Sequence, residues 1–315
     1  MTKSAFVYII RHNDKAETEN QKVITELTLR YHDIIELSIE QAADFNFSGA
    51  LMLIVDAPPD NYETVKSLKK ILNVTNQKSI PSFLILGSMT RKETVQVQIL
   101  GVTDFLVHPV NHENFITKLG KIANNSIENS WKELSKTQEA ALKASLKVFE
   151  DLFANIKEGQ TFSNEDIRQC CDLTIKATEG DGLSAMVSAI RTHHNYTYRH
   201  SMMVSGYLAA FGLLLGIKAK DMQNLVACGL MHDIGKAYVS PSLLNKPGPL
   251  TDDEWVEMKK HPEYSRKILE NTDCNEIIYD GCVHHHEKID GAGYPDGLKG
   301  DEVSDIARMV AIADV

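Results

Sequence analysis

Residues 224–236 read NLVACGLMHDIGK, an apolar run that closes on a histidine, an aspartate and, one turn later, a lysine. Leu225 and Gly229 stand seven and three residues before His232, so His232 ends one apolar face of a helix. The pattern recurs three times. His200 opens a stripe of Met203, Val204, Tyr207, Leu208 and Phe211; His285 follows Ile278 and Cys282; Asp314 follows Ile306 and Val310. A lone histidine on an apolar face is ordinarily a core residue satisfied by one hydrogen bond. A buried carboxylate is harder to accommodate, because its desolvation is costly without a partner or a metal. Several imidazoles and at least two carboxylates converging from different helices call for one or two divalent cations. Such ligands suit iron, manganese, zinc, cobalt or nickel better than calcium or magnesium.

Two adjacent pairs sharpen this reading. His232–Asp233 and His285–His286 place neighbours about 100° apart on a helix, so both face one interior only by straddling its centre. Such a pair can ligate two metals with a carboxylate between them, and two metals ~3.5–4 Å apart support in-line displacement at phosphorus. Lys236, on the same face, is placed to clamp a phosphate oxygen or stabilise a leaving group. Thr251–Glu254 is a capping box opening a helix with Trp255 and Met258 on its apolar face. Pro262 disfavours the α conformation at His261, so one helix is expected to end at His261 and the next to start at Pro262. After His286 the chain runs through Gly291, Gly293 and Pro295, an irregular loop in which Tyr294 either stacks on a purine or covers the core.

The first ~125 residues read differently. Ala5–Ile10, Ile34–Ile39, Leu51–Val55, Phe83–Leu86 and Phe105–Val107 are short apolar runs separated by helical patterns, which indicates a parallel sheet covered on both faces. From Ser126 onward no strand pattern recurs. Leu142, Leu146, Phe149, Phe153 and Ile156 form one helical stripe, expected to pack on its own domain or, alternatively, to form a dimer seam. The chain thus divides into an α/β domain over 1–125, a linker helix over 126–160 and an all-α domain over 161–315.

The net charge of −10 excludes a generic nucleic-acid polymer binder, though not a small anionic substrate held by a metal. Five cysteines without C-x-x-C spacing fit a reducing compartment. No apolar run reaches the ~20 residues of a membrane span, and the short N-terminal run reads as a first strand rather than a signal peptide. A cytoplasmic protein is expected.

The ordered series H-D-I-G-K (232–236), L-L-N-K-P-G-P-L-T (243–251), M-K-x-H (258–261), H-H-E-K-I-D-G-A-G-Y-P (285–295) and G-L-K-G (297–300) resembles the HD-GYP domain, a bacterial subset of the HD metal-dependent phosphohydrolases. The resemblance implies hydrolysis of cyclic di-GMP to the linear dinucleotide, and further to GMP. The implied metal ligands are His200, His232, Asp233, His261, His285, His286 and Asp314, around two ions, iron or manganese first. Asp233 and Lys236 would be catalytic, with Lys236 on the scissile phosphate and Gly293, Tyr294 and Pro295 bordering the substrate. Members with a third metal carry a glutamate four residues before the first ligand histidine; here that position is Tyr196, which implies two ions. The family's domain ordinarily continues past Asp314, so the resemblance implies a domain incomplete at Val315. Alternative implied roles are a sensor or adaptor that binds cyclic di-GMP and partner proteins such as GGDEF-type diguanylate cyclases, or a phosphodiesterase for cyclic GMP-AMP.

The N-terminal region resembles a degenerate response-regulator receiver of flavodoxin-like fold. Asp56 ends the third apolar run at the phosphoacceptor position, and G-V-T-D-F-L-V-H-P (101–109) matches the approach to the fifth strand. His108 replaces the usual lysine, Arg11-His12-Asn13 with Asp14 replaces the acidic pair, and Ser88 is the nearest hydroxyl after the fourth strand. The implied role is regulation or dimerisation, with Asp56 as candidate phosphoacceptor.

Overall fold

The computed structural model describes residues 6–11, 24, 28, 33–59, 61–87, 90–110, 112–191, 193, 195–244, 246 and 248–314. The chain separates into two compact units, Met1–Ile127 and Glu128–Val315.

In the first unit, strands β1 (Phe6–Arg11), β2 (Asp33–Ser38), β3 (Ala50–Asp56), β4 (Ser82–Leu86) and β5 (Asp104–Val107) alternate with helices α1 (Ile39–Ala43), α2 (Tyr62–Gln77), α3 (Arg91–Leu100) and α4 (His112–Ser130). The strands are parallel in the order β2-β1-β3-β4-β5, the flavodoxin-like arrangement. Leu51 to Asp56 and all of β4 are buried on both faces, which is why these segments read as continuous apolar runs. Tyr8, Ile10, Leu53, Val55, Leu84 and Leu86 pack with Phe47 and with Leu68, Ile71 and Leu72 of α2. On the opposite face Phe83 meets Phe115 of α4 edge-on, ring centroids 6.1 Å apart. Ile39 opens α1 rather than ending β2. Ser38 Oγ accepts from the Gln41 N–H (3.2 Å) and Gln41 Oε1 accepts from the Ser38 N–H (2.9 Å), and this capping box outweighs the strand preference of isoleucine. Ala5, His12, Asn13, Asp14 and Ser88 lie outside the described residues.

The second unit is helical: α5 (Lys136–Lys157), α6 (Asn164–Thr178), α7 (Gly182–Ile190), α8 (Tyr196–Leu215), α9 (Ala219–Met231), α10 (Pro241–Leu244), α11 (Asp252–Met258), α12 (His261–Leu269), α13 (Glu276–His284) and α14 (Asp305–Ala313). Single 3-10 turns cover Trp131–Glu133, Ile234–Tyr238 and Gly300–Glu302. Residues 126–160, read as a linker helix, contain the end of α4, the first of these turns and α5. The α5 stripe is buried at Ala141, Leu142, Ser145, Val148, Phe149, Leu152 and Ile156, while Leu146 and Phe153 lie at its margin. Phe149 meets Tyr198 of α8, so the stripe packs within its own unit. Among the described residues, no helix is long and apolar enough to cross a membrane.

Helix α9 is buried from Leu225 to Met231 without an exposed face, and with Val204 and Leu208 of α8 and Val310 of α14 it forms the core under the histidines. Two faces differ from the sequence expectation. In α8 the buried face runs through Ser201, Met202, Val204, Ser205, Leu208 and Ala209, and Tyr207 and Phe211 are exposed. Helix α8 is apolar on most sides, so periodicity alone does not select its inner face; the small residues do, because they admit α9 closely. Trp255 is likewise exposed, and α11 has no buried residue.

One buried histidine belongs to this scaffold. His193 stacks on Trp131 and meets Tyr198 edge-on. Burial, joined by the Arg199 charge, holds its imidazole down at about 4. A histidine whose folded value lies below its unfolded one contributes full stability above pH ~6.5, and that stability falls as pH drops towards 4. The second unit is therefore expected to lose about 2 kcal/mol between pH 7 and pH 5 through His193 alone. Urea unfolding at the two pH values, compared with His193→Phe, measures it; equal pH slopes in both proteins would contradict the assignment.

Candidate metal centre

Each ligand-type side chain stands at the end of an element or faces one. His232 caps the C-terminus of α9, His285 that of α13, and Asp314 that of α14. Three helix C-termini, each carrying partial negative charge, thus converge on one point, which favours a cation there. His200 comes from the second turn of α8. The expected picture of two residue pairs straddling helix interiors is corrected: both pairs sit where helices end, and the chain turns there so that consecutive side chains face the same interior. His261 is corrected too. It opens α12, with Pro262 inside the first turn, rather than ending the helix before it, since α11 already stops at Met258. Proline is tolerated there because the first helical N–H groups have no intrahelical partner.

Three histidines are oriented identically. The Nδ1–H of His232 donates to Gly229 O, that of His261 to Met258 O and that of His285 to Cys282 O, each at 2.9 Å. This fixes the tautomer and leaves the Nε2 lone pair aimed at the centre, as in ligating histidines. The lone pairs converge: His232 Nε2 lies 3.2 Å from His200 Nε2, and His261 Nε2 lies 3.3 Å from His285 Nε2. Two carboxylates complete the cluster. Asp314 Oδ1 is 2.6 Å from His200 Nε2 and 3.4 Å from His232 Nε2, and its Oδ2 is 3.9 Å from His286 Nδ1. Asp233 reaches both sides, with Oδ1 at 3.3 Å from His261 and Oδ2 at 3.3 Å from His232. Lys236 Nζ lies 2.6 Å from Asp233 Oδ2.

The electrostatics follow from burial. Desolvation pushes His261 and His286 down to about 4 and His285 well below its ordinary value, so these imidazoles stay neutral and able to ligate. Burial opposes ionisation of both aspartates, yet His232 and then Lys236 hold Asp233, and hydrogen bonds from His200 and His232 hold Asp314, well below the usual carboxylate range. Burial acts against a charge on His232 as well, but Asp233 and then Asp314 pull it up to about 9. The neutral imidazoles of His261, His285 and His286 beside two ionised carboxylates form a site that attracts positive charge.

Ligand atoms of His261, His285 and His286 lie within 4.8 Å of one another, as do those of His200, His232 and Asp314, and those of His232, Asp233 and His285. The structure thus brings all seven sequence-derived candidates together, and these groups could hold metal. The donor set fits a borderline transition metal. Tyr196 is exposed and stacks parallel to His200, supplying no carboxylate.

The loop after His286 lies beside this cluster. Tyr294 stacks on His286, with centroids 4.8 Å apart, and Lys259 Nζ lies over the Tyr294 ring, 5.7 Å from its centre. The sequence reading missed the residue that shapes this loop. Glu287 is buried and accepts from three backbone N–H groups, those of Asp296 (2.7 Å), Gly297 (3.0 Å) and Leu298 (3.1 Å). The signal was present: a glycine-rich loop exposes backbone donors that need an acceptor, and a glutamate stands at its start. Glu287→Ala is expected to cost about 2–3 kcal/mol, the scale of charge-assisted bonds lost with their donors left unpaired. Glu287→Gln, which keeps one acceptor oxygen, should fall between. Denaturant unfolding measures both; an alanine variant as stable as the parent would exclude this role.

In the first unit, Asp56 is buried at the end of β3, in register with Arg11 of β1 where the strand order reverses. Its Oδ2 lies 3.5 Å from Arg11 Nε and its Oδ1 3.6 Å from His108 Nε2.

Residues 184–315 match the family model described as HD domain. A cyclic di-GMP phosphodiesterase of Pseudomonas aeruginosa is 36% identical over 169 residues, 52% of this chain and 40% of the relative. The cyclic di-GMP phosphodiesterase response regulator RpfG of Xanthomonas campestris is 26% identical over 269 residues, 84% of this chain and 64% of the relative. A 3'3'-cGAMP-specific phosphodiesterase of Vibrio cholerae is 32% identical over 130 residues, 41% of this chain and 30% of the relative. The chain spans less than two thirds of each relative's length. HD-domain phosphohydrolases are metal-dependent. With His232 and Asp233 at the centre of seven converging side chains, residues 184–315 are similar to an HD domain in both sequence and site.

Proposed function

We propose that this chain is a two-metal cyclic-dinucleotide phosphodiesterase that cleaves cyclic di-GMP to the linear dinucleotide, with GMP from a second cut. The observation carrying this reading is the Asp233 carboxylate, whose two oxygens face histidines on opposite sides of the site. His200, His232 and Asp314 would hold one ion and His261, His285 and His286 the other, with Asp233 shared. Iron or manganese is the leading choice, before zinc, cobalt or nickel. Ions bound there supply Lewis acidity, which makes water nucleophilic near neutral pH and offsets charge on the phosphoryl oxygens.

The chain's own residues do the rest. Buried carbonyls hold the Nδ1 proton of His232, His261 and His285, so each turns Nε2 to the centre; His261 and His285 are already neutral there, and His232 would give up its Nε2 proton as an ion enters. Lys236, partly exposed beside Asp233, is a fixed cation for a phosphate oxygen. Gly293, Tyr294 and Pro295 give the pocket an aromatic wall through the Tyr294 ring. Gly293 packs directly on the Glu287 backbone, where a Cβ would stand 2.5 Å from Glu287 Cα. The first unit would regulate this site; Arg11 and His108 beside Asp56 favour regulation that does not depend on a phosphoaspartate. The Vibrio relatives make 3'3'-cGAMP the second substrate reading.

Full-length protein reconstituted with Mn²⁺ or Fe²⁺ without air, then given cyclic di-GMP and 3'3'-cGAMP in parallel, tests the proposal. Metal-dependent linear product is expected from both, faster from cyclic di-GMP. Tight binding of either without cleavage would replace the enzyme with an adaptor.

A further inference from the structure

We infer that His193, outside the ligand cluster, is a positioning residue for one of the two metal positions, because it sets the helix turn that delivers His200. The inference rests on the two-metal reading and concerns a part of the molecule that reading does not use.

His232, His261 and His285 are aimed by carbonyl partners three residues earlier. His200 has no such partner among the described residues; it lies inside α8, so its place depends on where the first turns of α8 are anchored. That anchor converges on His193. Its Nδ1 accepts from the Asn195 N–H (3.3 Å), and Asn195 caps α8 by accepting the Tyr198 N–H on Oδ1 (3.0 Å). With Nδ1 accepting, the proton sits on Nε2 and is donated to Glu128 Oε1 (3.3 Å). Arg199, next to His200, donates to the carbonyls of Arg191 (3.2 Å) and His193 (3.3 Å). Tyr198 is fully buried and its hydroxyl reaches Leu142 O (3.2 Å) and Ser145 Oγ (3.1 Å).

The consequence is selective. His200 belongs with His232 and Asp314, whereas His261, His285 and His286 are carried by other helices. Loosening the start of α8 should therefore weaken one ion and spare the other. A merely structural residue would lower overall stability and affect both ions or neither.

Mn²⁺ titration into metal-free full-length protein, followed by metal analysis and electron paramagnetic resonance, distinguishes these outcomes. The parent should fill two positions and show the signal of an exchange-coupled pair. His193→Phe keeps a buried ring but removes the acceptor. It should hold one ion within about twofold, weaken the other roughly tenfold, the scale for loss of a supporting hydrogen bond, and show an isolated-ion signal at sub-saturating metal. His193→Asn, which places an oxygen where Nδ1 stood, should restore the pair. Asn195→Ala alters only the exposed cap, should give the same selective loss, and decides the matter if His193→Phe does not fold. Two ions of full affinity in the variants, or equal weakening of both, would overturn the inference. A parent that never forms a coupled pair would instead overturn the two-metal reading beneath it.

Discussion

Asp233→Ala is expected to abolish phosphodiester cleavage, by at least about 10³-fold, and to remove the paired metal site while the fold persists. About 4 kcal/mol of transition-state stabilisation corresponds to that loss. The reason is geometric. Asp233 is 2% exposed and addresses His232 on one oxygen and His261 on the other, so no other side chain can replace it as the shared group. Its removal also leaves the Lys236 ammonium without its nearest counter-charge, which repels any incoming cation. Asp233→Asn should retain a fraction of the binding, since one amide oxygen remains. Metal analysis and a product assay on the purified variants measure both effects. A folded alanine variant with two ions and parental turnover would remove Asp233 from the centre.

The second large effect is expected at Gly235. A methyl group there would stand 1.9 Å from the His261 carbonyl oxygen and 2.6 Å from the Ser265 nitrogen, both backbone atoms of α12 that cannot swing aside. The Gly235 N–H also donates to Ser265 Oγ at 3.0 Å, so the 3-10 turn after Asp233 and the start of α12 are in direct backbone contact. Gly235→Ala must push α12 outward or break this contact. Overpacking of this kind costs roughly 1–3 kcal/mol, and here the displaced residue is His261 itself. The variant should melt earlier and bind metal at least tenfold more weakly. A melting curve and metal titration matching the parent would show that α12 tolerates a substituent there.

These two residues also show how far the sequence carries. The five strands were readable because strands buried on both faces are continuous apolar runs, and β3 and β4 keep that signature through to Asp56 and Leu86. His200, His232, His285 and Asp314 were readable because burying histidine and aspartate on apolar faces has few physical explanations, and the resemblance to the HD-GYP domain implied the full set of seven. What was not readable depends on non-local contacts. The inner face of α8 is chosen by small residues that admit α9, and Trp255 stays exposed although it fits an apolar stripe. Glu287 and His193 hide for the same reason: each acts by accepting backbone N–H groups, and neither bond follows from a side-chain pattern. His261 was located at a helix junction, but on the wrong side of it, because Pro262 fits the first turn of the second helix as well as the boundary before it.

The proposed site binds two metal ions and shares Asp233 between them. Anomalous scattering from crystals of anaerobically purified protein, collected across the iron and manganese absorption edges, tests it most directly. The predicted result is two peaks per chain about 3.5–4 Å apart, one beside His200, His232 and Asp314 and the other beside His261, His285 and His286, with Asp233 reaching both. A single peak, or none in protein that still cleaves cyclic di-GMP, would contradict it.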